Sequence, residues 1–351
     1  MVTSWDVARE AGVSQATVSR VLNGDSKVAA PTRARVLEAV QRLGYRPNSA
    51  ARSLVTRRTQ LVGVVVADIS NPFYPQLLGT IDSELVGRGF RTVFSNSEGR
   101  PHDLQTQTLL EQRVDGVVFT AVELDSDEPR TLVAQGLPVV LVNRYLDGLD
   151  CDVVVGDNEG GGRRAAEHLL ELGHRRIAVL LGDPLASTSR DRFLGFRARL
   201  AEDGVELDEA LVRIADFSCE TASVQAAFLF DADPRPTAIF CANDLMAFGV
   251  LNAARRAGVA VPEELSVVGF NDIAYAAWES FELTTIRLPL TEMARTAVEL
   301  LVKRIESPQR AFERIVFPSL LVTRATTGGA AAERKRGPRV RASRHAGRTV
   351  A

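Results

Sequence analysis

Residues 6–24 read DVAREAGVSQATVSRVLNG, and this stretch decides the fold of the first part of the chain. Apolar residues recur at helical spacing up to Gly12, where a tight turn between two helices needs a residue that tolerates a positive φ. Ser14 is a suitable N-cap for a second helix, 15–23, which is apolar on one face and polar on the other. The pattern is typical of a helix-turn-helix, whose second helix enters the DNA major groove. Periodicity alone equally allows a small helical subdomain with a solvated polar face.

A third amphipathic segment covers about 31–43 and ends at Gly44. The amino-acid sequence of this whole region resembles the DNA-binding headpiece of the lactose-repressor (LacI/GalR) family of bacterial transcription regulators. The resemblance is specific because it extends over about fifty residues, and it is carried by 6–24, 32–48 and 51–54.

Two positions depart from the family pattern, both outside the second helix. Ser4 and Trp5 stand where the family usually has Ile-Lys. Either Trp5 replaces the lost apolar anchor, or Met1 is not the true start of the protein. The third helix begins at Ala30 and Pro31 without the usual Ser cap, a loss worth about 1 kcal/mol.

The resemblance implies which residues meet DNA. Arg20 is expected to form a bidentate contact with guanine, a type worth about 1–3 kcal/mol of discrimination. Gln15 and Ala16 open the recognition helix and are expected to read bases, Ala16 through apolar contact alone. Phosphate contacts, which position the protein without specifying a sequence, are assigned to Thr3, Ser14, Thr17, Ser19 and Asn23. For Thr17 and Asn23 the alternative role is helix capping.

The segment 48–54, NSAARSL, predicts a conditional helix. Asn48 can cap it and the alanines favour it, but seven residues are too few for a stable isolated helix. In the family, two such hinges pair in a dimer and lie in the minor groove, where a leucine wedges between base steps. The resemblance gives Leu54 this role, with Asn48 and Arg52 in the same DNA-contacting segment. The alternative for Leu54 is an ordinary linker leucine.

From Leu61 onward, short apolar runs rich in β-branched residues alternate with helical segments. Such alternation indicates parallel sheets covered on both faces, and two sets of runs indicate two doubly wound subdomains with a ligand cleft between them. The predicted strands are 61–67, 90–95, 116–120, 139–142, 153–156, 176–181, 211–216, 238–242 and 266–270. The predicted helices are 72–88, 159–172, 190–202, 245–257 and 292–305.

Ligands of such sheets bind at the carboxyl ends of the strands, where this chain places carboxylates, amides, arginines and aromatic rings. This mixture suits a small polyhydroxylated ligand, although Asn71, Asn158 and Asp244 could equally cap the following helices. The family resemblance continues to about residue 327, with 317–324 as the closing strand. It implies a periplasmic-binding-protein-like effector domain, whose ligand contacts would be Arg192 and Asp272, then Asn243, Phe73, Asp157, Arg144 and Phe217. Trp278 either closes over the ligand or packs in the core.

The implied organisation is an all-α helix-turn-helix headpiece (1–46), a hinge helix and linker (47–59), an α/β effector and dimerisation domain (60–327) and a basic tail (328–351). The tail has little apolar content, so we expect it to be disordered. It either attracts DNA without sequence preference or is a solvated extension. It lacks the leucine heptads that would support a helical tetramer.

The formal net charge of −2 conceals a segregated distribution. Residues 1–60 carry ten Lys/Arg against four Asp/Glu, residues 328–351 carry seven against one, and the middle, 61–327, carries 25 against 39. This asymmetry favours a basic binding module on an acidic body.

Several functional classes are disfavoured. No apolar run approaches the roughly 18 residues of a membrane span, the N-terminus carries no export signal, and the three scattered cysteines suit a reducing cytoplasm. A transport-associated sugar-binding protein would need that signal and no headpiece. An enzyme would need a catalytic constellation, but the sequence has no P-loop, HExxH, GxSxG or spaced Cys/His ligand set. The glycines 160–162 follow a predicted strand but lack the full dinucleotide fingerprint.

We therefore expect a cytoplasmic, nucleoid-associated bacterial repressor of carbohydrate-utilisation genes. It would bind a palindromic double-stranded operator as a homodimer and respond allosterically to a sugar or sugar derivative. We expect no enzymatic activity, cofactor, metal or membrane partner. Whether the effector is an inducer or a corepressor stays open.

Overall fold

The computed structural model describes residues 2–22, 25, 27–45, 58–96 and 102–330, without the side chains of 102–106. Two compact units are present: the chain up to Leu61 with Arg113–Asp115, and Val62–Gln112 with everything from Gly116 onward. The boundaries at 46, 59 and 327 stay predictions. The segment 46–57 and the tail from 331 lie outside the described residues.

The first unit contains three helices: α1 (Ser4–Ala11), α2 (Gln15–Leu22) and α3 (Ala30–Leu43). Gly12 ends α1 in the left-handed conformation, with φ 62°, as the turn between the first two helices requires. The buried residues that hold the helices together are Val7, Ala8, Ala11, Val18, Val21, Val36 and Ala39. The predicted three-helix headpiece is therefore confirmed.

The departures from the family pattern are visible at two helix starts. Trp5 is 68% exposed, so its proposed role as an apolar anchor is wrong. The buried residues of α1 are Val7, Ala8 and Ala11. The third helix begins after Ala29, which makes no side-chain capping bond, as predicted.

The second unit contains two six-stranded sheets, with strand orders β11-β5-β4-β3-β1-β2 and β12-β10-β9-β8-β6-β7. The strands of the first are β1 (Leu61–Val66), β2 (Arg91–Asn96), β3 (Gly116–Phe119), β4 (Val139–Val142), β5 (Asp152–Gly156) and β11 (Arg314–Phe317). Those of the second are β6 (Ile177–Leu181), β7 (Val212–Ile214), β8 (Ala238–Cys241), β9 (Ser266–Asn271), β10 (Thr284–Arg287) and β12 (Leu320–Val322). In the second sheet β12 pairs antiparallel with β10, while β6 to β10 pair in parallel.

Within its described residues, the second unit also contains eight α-helices. They are α4 (Phe73–Gly87), α5 (His102–Glu111), α6 (Glu128–Ala134), α7 (Asn158–Glu171), α8 (Ser187–Glu202), α9 (Cys219–Phe230), α10 (Asp244–Ala257) and α11 (Leu290–Glu306). The predicted pair of doubly wound parallel sheets is confirmed, and we call the parts built on the first and second sheets the first and second subdomains.

One predicted element is wrong. The segment 317–324 was expected to form a single closing strand, but β11 ends at Phe317 in the first sheet and β12 begins at Leu320 in the second. Pro318 cannot donate to a ladder, and the Ser319 hydroxyl donates to the Asp157 carbonyl at 3.1 Å. The chain thus changes subdomain here, as it also does between β5 and α7 and between β10 and α11.

Candidate DNA-contacting surface and effector cleft

The outward face of α2 is polar and exposed. Val18 and Val21 point into the core, whereas Gln15, Ala16, Ser19 and Arg20 are exposed. The Gln15 amide donates to the Ser4 hydroxyl at 2.9 Å, which ties the start of α2 to the start of α1. The predicted base-reading residues therefore share one accessible face, and their DNA contacts stay predictions.

Two of the hydroxyl residues predicted to contact phosphates, Thr3 and Ser14, also accept capping hydrogen bonds from backbone amides. Thr3 and Asp6 form a capping box on α1, and hydrogen bonds from Thr3 hold the pKa of the Asp6 carboxyl below its usual value. Ser14 accepts from the Thr17 amide at 3.2 Å and shares a second bond with the Thr17 hydroxyl at 2.9 Å. Capping does not exclude a further bond to phosphate. Asn23, Asn48, Arg52 and Leu54 lie outside the described residues.

Arg192 is the central polar group at the carboxyl edge of the second sheet. It projects from α8 and is only 2% exposed. Its Nε, Nη1 and Nη2 donate to Asn158 Oδ1, Ala242 O and Asn271 Oδ1, at 2.8, 2.6 and 3.0 Å. Its guanidinium lies 3.8 Å from the Phe270 ring centroid. Burial, together with the nearby positive charge of Arg144, lowers the pKa of Arg192 to about 9 against the opposing effect of Asp244.

The first subdomain contributes Asn143 and Arg144, which follow β4. Asn143 adopts a left-handed conformation, with φ 74°, and its amide nitrogen donates to the Thr120 carbonyl at 3.4 Å. The guanidinium of Arg144 lies 5.4 Å from the ring centroid of Phe217 in the second subdomain. Arg144, Arg192 and Phe217 therefore converge where the two subdomains meet.

Asp272 does not join Arg192. Its carboxylate accepts from Arg287 Nε at 2.6 Å and from Arg324 Nη2 at 2.7 Å, so both oxygens lie in ion pairs. The residue before it, Asn271, supplies the oxygen that meets Arg192. Asn271 was missed in the sequence, although two polar residues at the end of β9 signalled that one of them would face the cleft. A ligand contact by Asp272 remains a prediction.

Three other predicted ligand residues have structural bonds of their own. Asn243 caps α10 through Met246 N at 2.8 Å, and its amide donates to Phe217 O at 3.4 Å. Asp157 caps α7 and pairs with Arg164 at 3.2 Å. Phe73 is buried at the start of α4, edge-on to Tyr74.

The capping alternatives differ among the remaining Asx residues. Asn71 accepts from the Phe73 amide at 3.1 Å just before α4, whose N-cap position is Pro72, whereas Asn158 accepts from Arg192. Asp244 is fully buried and accepts from the Thr285 hydroxyl and from the Ile273 amide. Burial raises the pKa of Asp244 to about 7.

A set of bonds joins the two subdomains beside the cleft. The Tyr145 hydroxyl donates to Asp191 Oδ2 at 2.9 Å and accepts from Arg190 Nη2 at 2.7 Å. Arg190 also pairs with Asp147 at 3.1 Å, and the Tyr145 amide donates to Ser187 Oγ at 3.1 Å. We call these five residues the latch. Because 145–147 follow β4 and 187–191 lie in α8, the latch must break if the subdomains separate.

Trp278 is 54% exposed, and its ring lies 4.5 Å from the Tyr275 ring at an interplanar angle of 46°, so the prediction that it packs in the core is wrong. Among the described residues no group of His, Cys, Asp and Glu could hold a metal ion, and no helix is long and apolar enough to span a membrane. The three cysteines are expected to be buried small apolar residues; Cys151 and Cys241 are buried, whereas Cys219 is only partly buried. Burial raises the pKa of the Cys151 thiol to about 12.

Comparison with known proteins agrees with this geometry. Residues 5–48 match the family model "Bacterial regulatory proteins, lacI family". The HTH-type transcriptional regulator DegA of Bacillus subtilis (strain 168) is 34% identical over 331 residues, covering 93% of this chain and 98% of DegA. The chain belongs to the lacI family of bacterial regulatory proteins.

The other matches of this lacI-family chain include the effector unit. Residues 166–327 match the "Periplasmic binding protein-like domain" model. The transcriptional regulator CelR of Thermobifida fusca is 37% identical, with 91% of this chain and 96% of CelR covered. A CelR-cellobiose complex matches with a TM-score of 0.72, at 34% identity over 93% of this chain and 100% of CelR. The Lac repressor dimer bound to operator and the anti-inducer ONPF matches with a TM-score of 0.83, at 30% identity over 93% of this chain and 99% of the repressor.

Proposed function

We propose that this lacI-family chain is a homodimeric transcriptional repressor of carbohydrate-utilisation genes. It binds a palindromic DNA operator and responds to a small sugar-like effector held between its subdomains. The observation that carries the proposal is the presence, in one chain, of an exposed polar recognition helix and a buried polar cleft. The similarity to an operator-bound Lac repressor dimer supports the DNA-binding part of the proposal, and the similarity to a cellobiose-bound CelR supports the effector-binding part.

The proposed DNA contacts follow from the exposed face of α2. Arg20 reads guanine, Gln15 and Ala16 read neighbouring bases, and the hydroxyl residues with Asn23 hold phosphates. A single headpiece of this size buries little DNA surface, so two copies on a two-fold axis are needed for affinity. The segment 48–54 then pairs with its copy in the minor groove, where Leu54 kinks the duplex.

The proposed second copy contacts the α9–α10 face of the effector unit. Val224 and Phe228 on α9 are exposed and border an open groove of about 480 Å³ that Asn252 and Arg256 of α10 complete. An apolar groove with a polar rim is typical of a protein interface. A self-complementary face of this kind gives the two-fold symmetry that a palindromic operator demands.

The proposed switch is a change in how far the two subdomains are closed. An effector can shift this equilibrium only by binding one arrangement better than the other. An inducer favours the arrangement in which the hinges cannot pair, and a corepressor favours the opposite one. By linkage, operator DNA must change effector affinity by the same factor. The chain would act in the bacterial cytoplasm, on the chromosome and without enzymatic turnover.

Selection from a random DNA library with the full-length protein tests the operator proposal. We expect a palindrome with a guanine that Arg20→Ala ceases to discriminate, while other positions keep their preference. Arg197→Ala, an exposed change on α8 of the effector unit, is the matched control and should select the wild-type site. Failure to enrich a palindrome, or an Arg20→Ala protein that weakens every sequence equally, contradicts the proposal or the role of Arg20, respectively.

A further inference from the structure

One carboxylate holds the chain in place just before it enters β1. Asp115, the residue before β3, accepts from the backbone amide of Thr59 through Oδ1 and from that of Gln60 through Oδ2, both at 2.8 Å. The Thr59 hydroxyl lies 3.0 Å from the same Oδ1 and 2.7 Å from the Arg113 carbonyl oxygen. The Asp115 amide in turn donates to the Leu61 carbonyl at 2.7 Å. We call these five residues the linker joint.

The backbone of the linker joint is unusual for residues other than glycine. Gln60 has φ 56° and Arg113 has φ 52°, both in the left-handed region. Such conformations are strained and persist only where the surrounding bonds hold them. Two consecutive amides that point at one carboxylate supply such bonds, because hydrogen bonds to a charged acceptor are about twice as strong as neutral ones. Asp115 therefore fixes the direction in which the chain arrives at β1.

The residue after Asp115 has a rigid support. Gly116 begins β3 and pairs with Val62 of β1. A Cβ built on Gly116 would lie 2.9 Å from Leu301 Cδ1 of α11 and 3.1 Å from the Pro138 carbonyl oxygen. The sheet and α11 thus pack directly against this position. Since Asp115 is bonded to a residue that cannot move easily, the amides that it holds are fixed as well.

The linker joint determines where the free part of the linker ends. If the Asp115 carboxylate were removed, Thr59 and Gln60 would join that part and lengthen it by up to about 7 Å, at roughly 3.3–3.6 Å for each extended residue. One added base pair lengthens a duplex by about 3.4 Å. In a two-fold dimer, the reach of the two linkers limits how far apart the headpieces can bind on DNA. Two freed residues in each copy are therefore enough to span an altered operator.

We propose that Asp115 is a positioning residue for operator recognition, which restricts the protein to one spacing between the half-sites of its palindrome. The inference rests on the proposed function, because it requires two headpieces on one operator. Asp115 acts through the direction and length of the linker and does not contact DNA in this role. A purely structural residue would change the stability of the chain and not the spacing that the chain selects.

Amide hydrogen exchange of the full-length protein tests the linker joint. In Asp115→Ala the amides of Thr59 and Gln60 should exchange at least about tenfold faster than in the wild type. Thr59→Val removes only the hydroxyl and keeps both amide bonds, so exchange at these amides should stay slow. The control is Asp150→Asn, an exposed carboxylate in the turn before β5, which should match the wild type. Equal exchange at both amides in the wild type and Asp115→Ala would overturn the inference.

Binding to operators of altered spacing tests the positioning role. The DNA is the palindrome that the wild type selects from a random library, with one base pair inserted or removed at its centre. The wild type should bind the altered operators about tenfold or more weakly, and Asp115→Ala less than about threefold more weakly, with the same bases read in each half-site. Asp115→Asn keeps an acceptor for one of the two amides and should lie between them. An Asp115→Ala protein that keeps the wild-type spacing penalty refutes the proposal, even if it binds more weakly overall.

The same experiments separate this proposal from the proposed function. A wild-type protein that selects no palindrome contradicts the proposed function, while exchange at Thr59 and Gln60 still reports on the linker joint. A wild-type protein that selects a palindrome but tolerates every spacing contradicts only the positioning role. Asp115 is partly exposed, so Asp115→Ala should remain folded, which urea denaturation checks. If Asp115→Ala does not fold, Asp115→Asn decides the matter by the same two measurements.

Discussion

Gly162 of α7 and the backbone of Arg192 of α8 are in direct contact. A Cβ built on Gly162 would lie 2.1 Å from the Arg192 carbonyl oxygen, and a Cβ on Gly195 would lie 2.0 Å from the Glu159 carbonyl oxygen. The two helices thus meet backbone to backbone, which positions Arg192 between Asn158 and Asn271. The glycine run 160–162, which lacks a dinucleotide fingerprint, contributes this close helix packing.

Gly162→Ala should force α7 and α8 apart, because backbone atoms cannot yield as a flexible side chain can. We expect the free energy of unfolding to fall by about 1–3 kcal/mol in urea denaturation. The control is Gly79→Ala in α4, where a Cβ has no neighbour within 4 Å. That change should raise stability by about 0.5–1 kcal/mol through helix propensity. Equal effects of the two substitutions would show that the α7–α8 contact is not rigid.

Tyr145→Phe should loosen the latch. The substitution removes the bonds of the hydroxyl to Asp191 and Arg190 while keeping the ring over which Arg314 stacks at 4.2 Å. We expect the subdomain equilibrium to shift towards separation by about 1 kcal/mol or more, seen as a larger radius of gyration in X-ray scattering. Tyr275→Phe, on an exposed tyrosine, is the control. An unchanged radius in Tyr145→Phe would mean that the other latch bonds suffice.

Asp244→Asn should change how stability depends on pH. Burial and the like charge of Asp272 raise the pKa of Asp244 to about 7, against the effects of Thr285, the Ile273 amide and Arg192. The folded chain therefore binds this proton more tightly than the unfolded chain, whose ordinary value is 3.8. The stabilisation that the folded chain gains from this proton is complete below the ordinary pKa of 3.8 and is lost as pH rises through about 7.

An asparagine at 244 cannot ionise and can still pair with Thr285 and the Ile273 amide. The free energy of unfolding of Asp244→Asn, measured by urea denaturation relative to the wild type at the same pH, should therefore rise between about pH 5 and about pH 8. Asp231→Asn, on the exposed end of α9, should leave the wild-type pH profile unchanged. A relative stability of Asp244→Asn that stays constant with pH would contradict a raised pKa.

Continuously apolar strands and strongly amphipathic helices could be predicted because the apolar pattern reports burial directly. The predicted strand 139–142 coincides with β4, and 266–270 differs from β9 by one residue. Short or weakly amphipathic elements such as α5, α6 and α9 were not predicted. The break between Phe317 and Leu320 could not be predicted either, because sheet membership depends on distant partners and both sides carry the same apolar residues.

The cleft was predicted in outline and not in its pairings. Arg144, Arg192 and Phe217 converge as the strand-end rule implies. Which of two neighbouring side chains faces Arg192 depends on backbone angles, since φ is 112° at Asn271 and 57° at Asp272. Those angles depend on the bonds of Asp272 to Arg287 and Arg324, which are remote in sequence.

Phe228→Asp should dissociate the proposed dimer. Phe228 is 61% exposed on α9, and a carboxylate on this face would be buried and unpaired against a second copy. We expect sedimentation equilibrium to show at least a tenfold weaker self-association, with loss of operator affinity because one headpiece acts alone. Ile214→Asp alters a similarly exposed apolar residue on β7, away from the groove, and should stay dimeric. Because both changes are at the surface, an unchanged dimer in Phe228→Asp would exclude the α9–α10 face as the interface.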